Sequence, residues 1–302
     1  MSPPTRASEA GRAYLDLQNR ARAERRGTQE LLTLYVVERW LARLSASPHA
    51  DKFVVKGGMV LAAYDARRPT ADLDALARSI ANDQNAIVSL VSDIARLSLD
   101  DGVQYQTSTA TSRVIRDQAI HSGVRITMDC MIATATIKFR LDVNFGDPIT
   151  PAASSVTLPS LRPGLEPVRV LGYPVETILA EKIATAIALG PANTRVRDYA
   201  DIYILTGRQV VTHRTTREAL LATALHRGTP VQPLSDATGN IADIRSRTFE
   251  AYRTGLGESG TQLPARFPAL VRAVTAFADP LASDAGDSTW QPTERRWSPL
   301  PS

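Results

Sequence analysis

The sequence predicts a mixed α/β (α+β) protein, bilobed, with a mixed sheet in the N-terminal lobe and a mainly helical C-terminal lobe. Three observations lead there. Ile137, Phe139, Leu141 and Val143 alternate with Lys138, Arg140, Asp142 and Asn144, the period of a strand with one buried face. Short apolar runs bounded by Gly and Pro recur through the first half of the chain. Beyond residue 166 apolar residues recur mostly every three or four positions, the period of helices. The expected division is a first lobe over 1–165, a helical lobe over 166–282 and a loose tail over 283–302.

The elements follow in chain order. Ser8 to Arg26 reads as a charged helix carrying Arg20, Arg22, Arg25 and Arg26, and a run of this kind ordinarily forms a solvated face. Thr28 to Leu44 places Leu31, Leu34, Tyr35, Glu38, Leu41 and Leu44 mostly three and four residues apart, an amphipathic helix that stops at Ser47 and Pro48. Phe53 to Val55 is a short strand ending at Lys56-Gly57-Gly58, before a small helix from Met59 to Tyr64. A second strand spans about Ala71 to Ala77, and a helix from Asp83 to Leu97 repeats Ile87, Leu90, Val91, Ile94 and Leu97. Val103 to Gln106, Val124 to Asp129 and Ile137 to Asn144 read as strands. Proline and serine mark 148–166 as a linker. Helices follow at Pro174 to Leu189, Arg197 to Leu205, Thr216 to His226, about Gly239 to Tyr252, and Arg266 to Ala278.

Composition narrows the function classes. Forty-three per cent of the 302 residues are hydrophobic, enough for a core. A single cysteine, Cys130 between Met128 and Met131, rules out an internal disulfide or a cysteine zinc cluster and suits a reducing cytoplasm. The four histidines are not at metal-ligand spacing. No apolar run approaches a membrane span, and Met1 to Arg12 lacks a signal-peptide core. A net charge of +4 permits an RNA or nucleotide partner without requiring one.

The most informative segment is Lys56-Gly57-Gly58 followed by Asp72-Leu73-Asp74. Aspartates at i and i+2 of a strand share a face, where two like charges are unfavourable without cations nearby. Hard oxygen ligands of this type suit magnesium, completed by substrate phosphates. A glycine pair after a strand and before a helix lets backbone approach a phosphate. Each piece alone is commonplace: a solvated acidic pair, a plain turn. Their order is more specific. Asp142 adds a third carboxylate, although pairing with Lys138 or Arg140 accounts for it equally well.

In this order the motifs resemble the AbiEii/AbiGii nucleotidyltransferase toxins, of which the MenT toxins are members. The resemblance rests on Lys56-Gly57-Gly58, Arg68-Pro69-Thr70-Ala71-Asp72-Leu73-Asp74 and Arg140 to Asp147. It continues through Tyr173 to Lys182 and Arg195 to Tyr203, covering roughly 28–206. It implies a polymerase-β-like catalytic sheet with Asp72, Asp74 and Asp142 as metal ligands and Gly57, Gly58 and Thr70 on the nucleotide. Mg2+ and a nucleoside triphosphate are the implied cofactor and substrate. A tRNA or other RNA 3′ end is the implied acceptor, and a cognate antitoxin the implied partner. Two departures bear on nucleotide choice: Met59 follows Gly58 where serine is common, and Ala71 stands where a polar residue is common.

In the helical lobe, Lys182 reads either as a snorkelling lysine or, with the resemblance, as a triphosphate contact that completes the active site. Asp198 and Asp201 share a helix face. The resemblance points to Asp198 as the site residue, acting as a base or by orienting Lys182, and leaves Asp201 as a brace. The expectation is transfer of a nucleoside monophosphate to an RNA 3′ end. Its rivals are nucleotidylylation of a protein side chain and a non-catalytic nucleic-acid-binding module.

Overall fold

A computed structural model describes residues 3–68, 70, 72–117, 121–284 and 286–299. Pro69 and Ala71 of the acidic motif lie outside the described residues. The chain divides into two compact units, 1–63 with 67–146 and 154–172, and 64–66 with 147–153 and 173–302.

The first unit begins with helix α1 (Glu9–Ala23), capped by the Ser8 hydroxyl accepting from the Gly11 N–H at 3.1 Å. Helix α2 (Thr28–Ala46) is buried along most of its length. Then come β1 (Phe53–Lys56), the single turn α3 (Gly57–Val60), β2 (Leu73–Ala77) and α4 (Gln84–Ala95). The remaining strands are β3 (Gln104–Asp117), β4 (His121–Ile132), β5 (Ala135–Asn144), β6 (Ser154–Leu158) and β7 (Val168–Gly172). Among the described residues, seven strands form one mixed sheet in the order β3-β4-β5-β2-β1-β7-β6. β2 runs parallel to β5 and β1 parallel to β7, whereas the other neighbours are antiparallel.

The alternation read from Ile137 to Asn144 holds. Ile137, Phe139, Leu141 and Val143 are buried against α2, where the Trp40 ring meets Phe53 at 5.8 Å and Phe139 at 5.6 Å between centroids. Trp40 Nε1 donates to the Val91 carbonyl, so this aromatic centre also ties in α4. The opposite face of β5 carries Arg140, Asp142 and Asn144 and is left for the polar site.

Two strand assignments differ from expectation. Val103 to Gln106 and Val124 to Asp129 are fragments of one long β3–β4 hairpin, whose Thr- and Ser-rich stretch has little apolar alternation to mark it. The segment 148–166 is not all linker. Val156 and Leu158 of β6 bury with Val168 and Val170 of β7, and this pairing keeps 168–172 with the sheet rather than with the helices.

The second unit contains α5 (Val175–Leu189), α6 (Val196–Thr206), α7 (His213–Arg227), α8 (Leu234–Thr238), α9 (Ile241–Ile244), α10 (Ser246–Gly255) and α11 (Phe267–Ala278). Its end corrects the expectation of a loose tail over 283–302. β8 (Ser288–Gln291) pairs with β9 (Arg296–Pro299), and Trp290 is fully buried. Trp290 donates to the Thr206 carbonyl at 2.6 Å and Trp297 to the Phe277 carbonyl at 3.0 Å. Two indoles bury too much apolar surface to remain in solvent, and this outweighs the flanking prolines.

α2 also carries charge into the core of the first unit. Arg43 and Asp101, each with a side chain 2% exposed, form a two-armed pair at 2.6 and 3.1 Å, and Arg43 also donates to the Leu97 and Val103 carbonyls. Removing one partner of a buried pair leaves a charge without compensation. Arg43→Met should therefore cost ~3–5 kcal/mol of unfolding free energy. Urea unfolding at unchanged slope measures it, and a midpoint equal to wild type would show the pair to be energetically neutral.

Candidate active site

The site in the first unit is built on lateral registry. Asp74 on β2 stands opposite Asp142 on β5, Lys56 on β1 stands opposite Asp74, and Arg125 on β4 stands opposite Asp142. Residues in register on neighbouring strands share a face, so the row reads Lys56, Asp74, Asp142, Arg125. Asp72 lies one residue before β2 and is part-exposed.

Gly57 explains why a glycine is needed after β1. Its φ is +65°, and a Cβ there would lie 2.0 Å from Asp74 Oδ2. Any other residue would collide with the carboxylate and strain the backbone. A Cβ on Gly58 would meet Thr70 at 2.8 Å. The Thr70 hydroxyl donates to the Asp72 carbonyl at 3.1 Å, bracing the bend that presents Asp72. Met59 is buried, so the position where serine is common faces the core.

The charges are unequally shared. Arg125 clamps Asp142 with two arms, Nε to Oδ1 and Nη2 to Oδ2, both 2.6 Å. Its Nη2 is also 3.8 Å from Asp72 Oδ2, and Arg140 Nη1 is 3.7 Å from Asp72 Oδ1. The Asp142 hydrogen bonds raise the Arg125 pKa further above its ordinary value. Lys138, a candidate partner for Asp142, pairs instead with Asp129 on β4 at 2.5 Å. Asp72 Oδ1 is buried without a hydrogen-bond donor among the described residues. Burial pushes Asp74 up to about 6; Lys56 and Arg68 oppose the shift, while Asp142 and Asp72 add to it.

These observations bear on a bound cation. An orphaned buried carboxylate oxygen and a carboxyl raised first by burial and then by its anionic neighbours are both relieved by positive charge placed among them. Among the described residues, no three His, Cys, Asp or Glu side chains form a ready metal cage. A hard cation here would be held by one or two carboxylates and completed by phosphates and water. The residues therefore fit a divalent ion, with Asp72 and Asp74 offering the available oxygens and both oxygens of Asp142 engaged by Arg125.

The second unit places Lys182 of α5 between two carboxylates of α6. Its Nζ lies 2.8 Å from Asp198 Oδ1 and 2.7 Å from Asp201 Oδ2. The other Asp198 oxygen accepts from Arg195 Nε at 2.6 Å. The Lys182 side chain is 12% exposed and the two aspartates 2%. Burial pushes Asp198 upward, but the charges and hydrogen bonds of Lys182 and Arg195 outweigh it and hold the carboxyl down to about 2. Asp198 lies in the first turn of α6, where the helix dipole also favours an anion. Asp198 and Asp201 thus act together on Lys182.

Sequence reasoning missed Arg125 and left Asp201 as a brace. Arg125 lies on the polar face of a segment recognised as a strand, but its partner is set by β4–β5 register, which no local pattern encodes. Asp201 was legible as sharing a face with Asp198; its bond to Lys182 depends on how α5 and α6 pack. Of the N-terminal arginines, Arg20 on α1 holds Glu24, and Arg26, beyond the helix, holds Glu24 and Glu30.

Comparison with known proteins adds a family. A model described as nucleotidyl transferase AbiEii toxin, type IV TA system, matches residues 39–280. No curated protein matches the chain. Among solved structures, a candidate nucleotidyltransferase from H. pylori aligns over 85% of this chain and 94% of its own at 13% identity, TM-score 0.46. JHP933 from Helicobacter pylori aligns over 78% and 99%, also at 13% identity, TM-score 0.41.

Asp74 makes stability depend on pH in a defined direction. Its folded pKa lies above the ordinary 3.8, so the folded protein keeps a proton that the unfolded chain releases between the two values. Stability from this group is complete below pH 3.8 and is lost as pH rises through about 6. In chelator, Asp74→Asn should raise stability by ~1–3 kcal/mol near neutrality, with the gain fading below about pH 4. A gain that persists undiminished at low pH would place its origin outside Asp74 ionisation.

Proposed function

The chain belongs to the AbiEii nucleotidyltransferase toxin family of type IV toxin–antitoxin systems, and from that premise we propose that it transfers a nucleoside monophosphate from a triphosphate to an RNA 3′ end, with the tRNA acceptor end as target and arrest of translation as outcome. The family uses a nucleoside triphosphate and a divalent metal, and it implies an antitoxin partner. No helix among the described residues is long and apolar enough to cross a membrane.

The observation that carries the reading is the registered pair Asp74 and Asp142 beside Gly57, whose missing side chain brings backbone against the carboxylate. Magnesium, when bound, would be held by Asp72 and Asp74 and would supply charge neutralisation for the phosphates and for the attacking and leaving oxygens. Asp142 adds negative potential beside them while Arg125 shares its charge. Gly57 and Gly58 admit the triphosphate, and Thr70 positions the Asp72 bend. Lys182 steadies the phosphates as negative charge develops.

In the reaction the RNA 3′ oxygen bonds to the α-phosphorus, the bond from that phosphorus to the bridging oxygen breaks, and pyrophosphate leaves. The hydroxyl proton passes to solvent or to a nearby carboxylate. A carboxyl held down to about 2, with both oxygens engaged, is a weak base near neutrality, so Asp198 is assigned to positioning Lys182 together with Asp201.

The test is incubation with Mg2+ and each labelled triphosphate in turn, followed by separation of RNA from protein. Label is expected in tRNA and absent with folded Asp72→Ala or Asp74→Ala. Lys182→Ala should lose triphosphate use at least tenfold more than Arg208→Ala, whose side chain bonds only Gln262 among the described residues. Label confined to protein would replace the acceptor. Turnover at wild-type level in the aspartate variants would remove the metal-site assignment.

A further inference from the structure

We propose that the faces of β3, β4 and β5 beside the carboxylates form a phosphodiester track, with Arg113 and Arg140 as its contacts, on which the single-stranded 3′ end of the RNA acceptor lies. The inference rests on the reading of the preceding subsection and adds where that acceptor binds.

The row of charges extends one strand beyond Arg125. Arg113 on β3 is in direct register with Arg125 on β4, so the same face reads Lys56, Asp74, Asp142, Arg125, Arg113 across five strands. Two strand spacings, ~10 Å, separate Arg113 from Asp142. That is the reach of the last nucleotides of a strand whose terminal hydroxyl sits at the carboxylates. One register step away, Arg140 aligns with Thr127 and Thr111, whose hydroxyls bond each other at 2.9 Å.

The arrangement is costly for folding alone. Like charges directly opposite on antiparallel strands destabilise the pair, and Arg113 and Arg125 are so placed. Arg125 is offset by Asp142. Arg113 is exposed and has no ion pair among the described residues. The nearest carboxylate along β3 itself is Asp117, four residues on. The Arg140 side chain is 42% exposed and only grazes Asp72 at 3.7 Å. A polyanion laid across this flank compensates both arginines.

The opposite flank suits the other substrate. Gly57 and Gly58 lie there with Lys56 in register and Arg68 close by, and bare backbone next to cations is what a triphosphate needs. The N-terminal arginines are weaker rivals for the acceptor because Arg20 on α1 and Arg26 beyond it are neutralised by Glu24 and Glu30. A track of guanidinium groups and threonine hydroxyls reads phosphates, not bases. Binding along it is therefore weakly sequence-selective and strongly dependent on salt.

The experiment is binding of fluorescein-labelled bulk tRNA, without triphosphate, across a salt series. Arg113→Ala and Arg140→Ala should each weaken binding several-fold. Each should also flatten the slope of log K against log salt by ~0.7–1. The Arg113→Ala variant should unfold at or above the wild-type midpoint and keep the wild-type triphosphate affinity. Arg22→Ala, on the exposed side of α1, should leave the slope unchanged. Wild-type slopes in both track variants, loss of triphosphate affinity in Arg113→Ala, or a flattened slope in Arg22→Ala would each overturn the track while leaving RNA as the acceptor. Wild-type protein that binds no tRNA at low salt would remove the RNA reading itself, and the track with it.

Discussion

Asp74 and Asp142 face each other across neighbouring parallel strands, and the polar side of the sheet is organised around that confrontation. At the ~4.8 Å spacing of adjacent strands, two full charges repel by about 3–4 kcal/mol at an effective dielectric of 20. A surface ion pair, worth ~0–1 kcal/mol, does not offset that. The sheet responds in three ways. It places Lys56 and Arg125 on either side of the pair, it raises Asp74 towards neutrality, and it leaves an Asp72 oxygen available for a further cation. Gly57 belongs to the same constraint, since its backbone occupies the space where a side chain would strike Asp74.

The second unit shows the inverse arrangement. One ammonium, Lys182, is held between two buried carboxylates, and Arg195 shares one of them. A lysine with a flexible stem is thereby given one position. The low pKa of Asp198 is a consequence of this arrangement and makes its carboxylate a weak base near neutrality.

Much of this was legible in the residues. The alternation at 137–144 and the order of β1, the glycine pair and β2 gave the sheet and located Asp74 and Asp142 on it, with Asp72 one residue before β2 rather than in the strand. The helical periods gave α5 and α6 nearly to their ends. What was not legible is what depends on pairing between distant segments. Arg125 meets Asp142 only because β4 adopts one register against β5; a shift of one residue would turn Arg125 to the other face. The β6–β7 pair was hidden by prolines and short length, and the docked indoles of the C-terminal hairpin by the polar residues around them. Local pattern specifies elements, while tertiary register specifies which charges meet.

Asp72 and Asp74 are proposed to hold a divalent cation, with Asp142 adding negative potential that Arg125 shares. Mn2+ binding followed by electron paramagnetic resonance, without nucleotide, tests it in wild type, Asp74→Asn and Arg125→Gln. Removing a unit charge ~5 Å from a divalent ion is worth several kcal/mol even at an effective dielectric of 20, more than the ~1 kcal/mol of side-chain order that Arg125 gives Asp142. The account predicts at least tenfold weaker binding in Asp74→Asn and at least tenfold tighter binding in Arg125→Gln. Equal affinities in all three proteins, or weaker binding in Arg125→Gln, would contradict it.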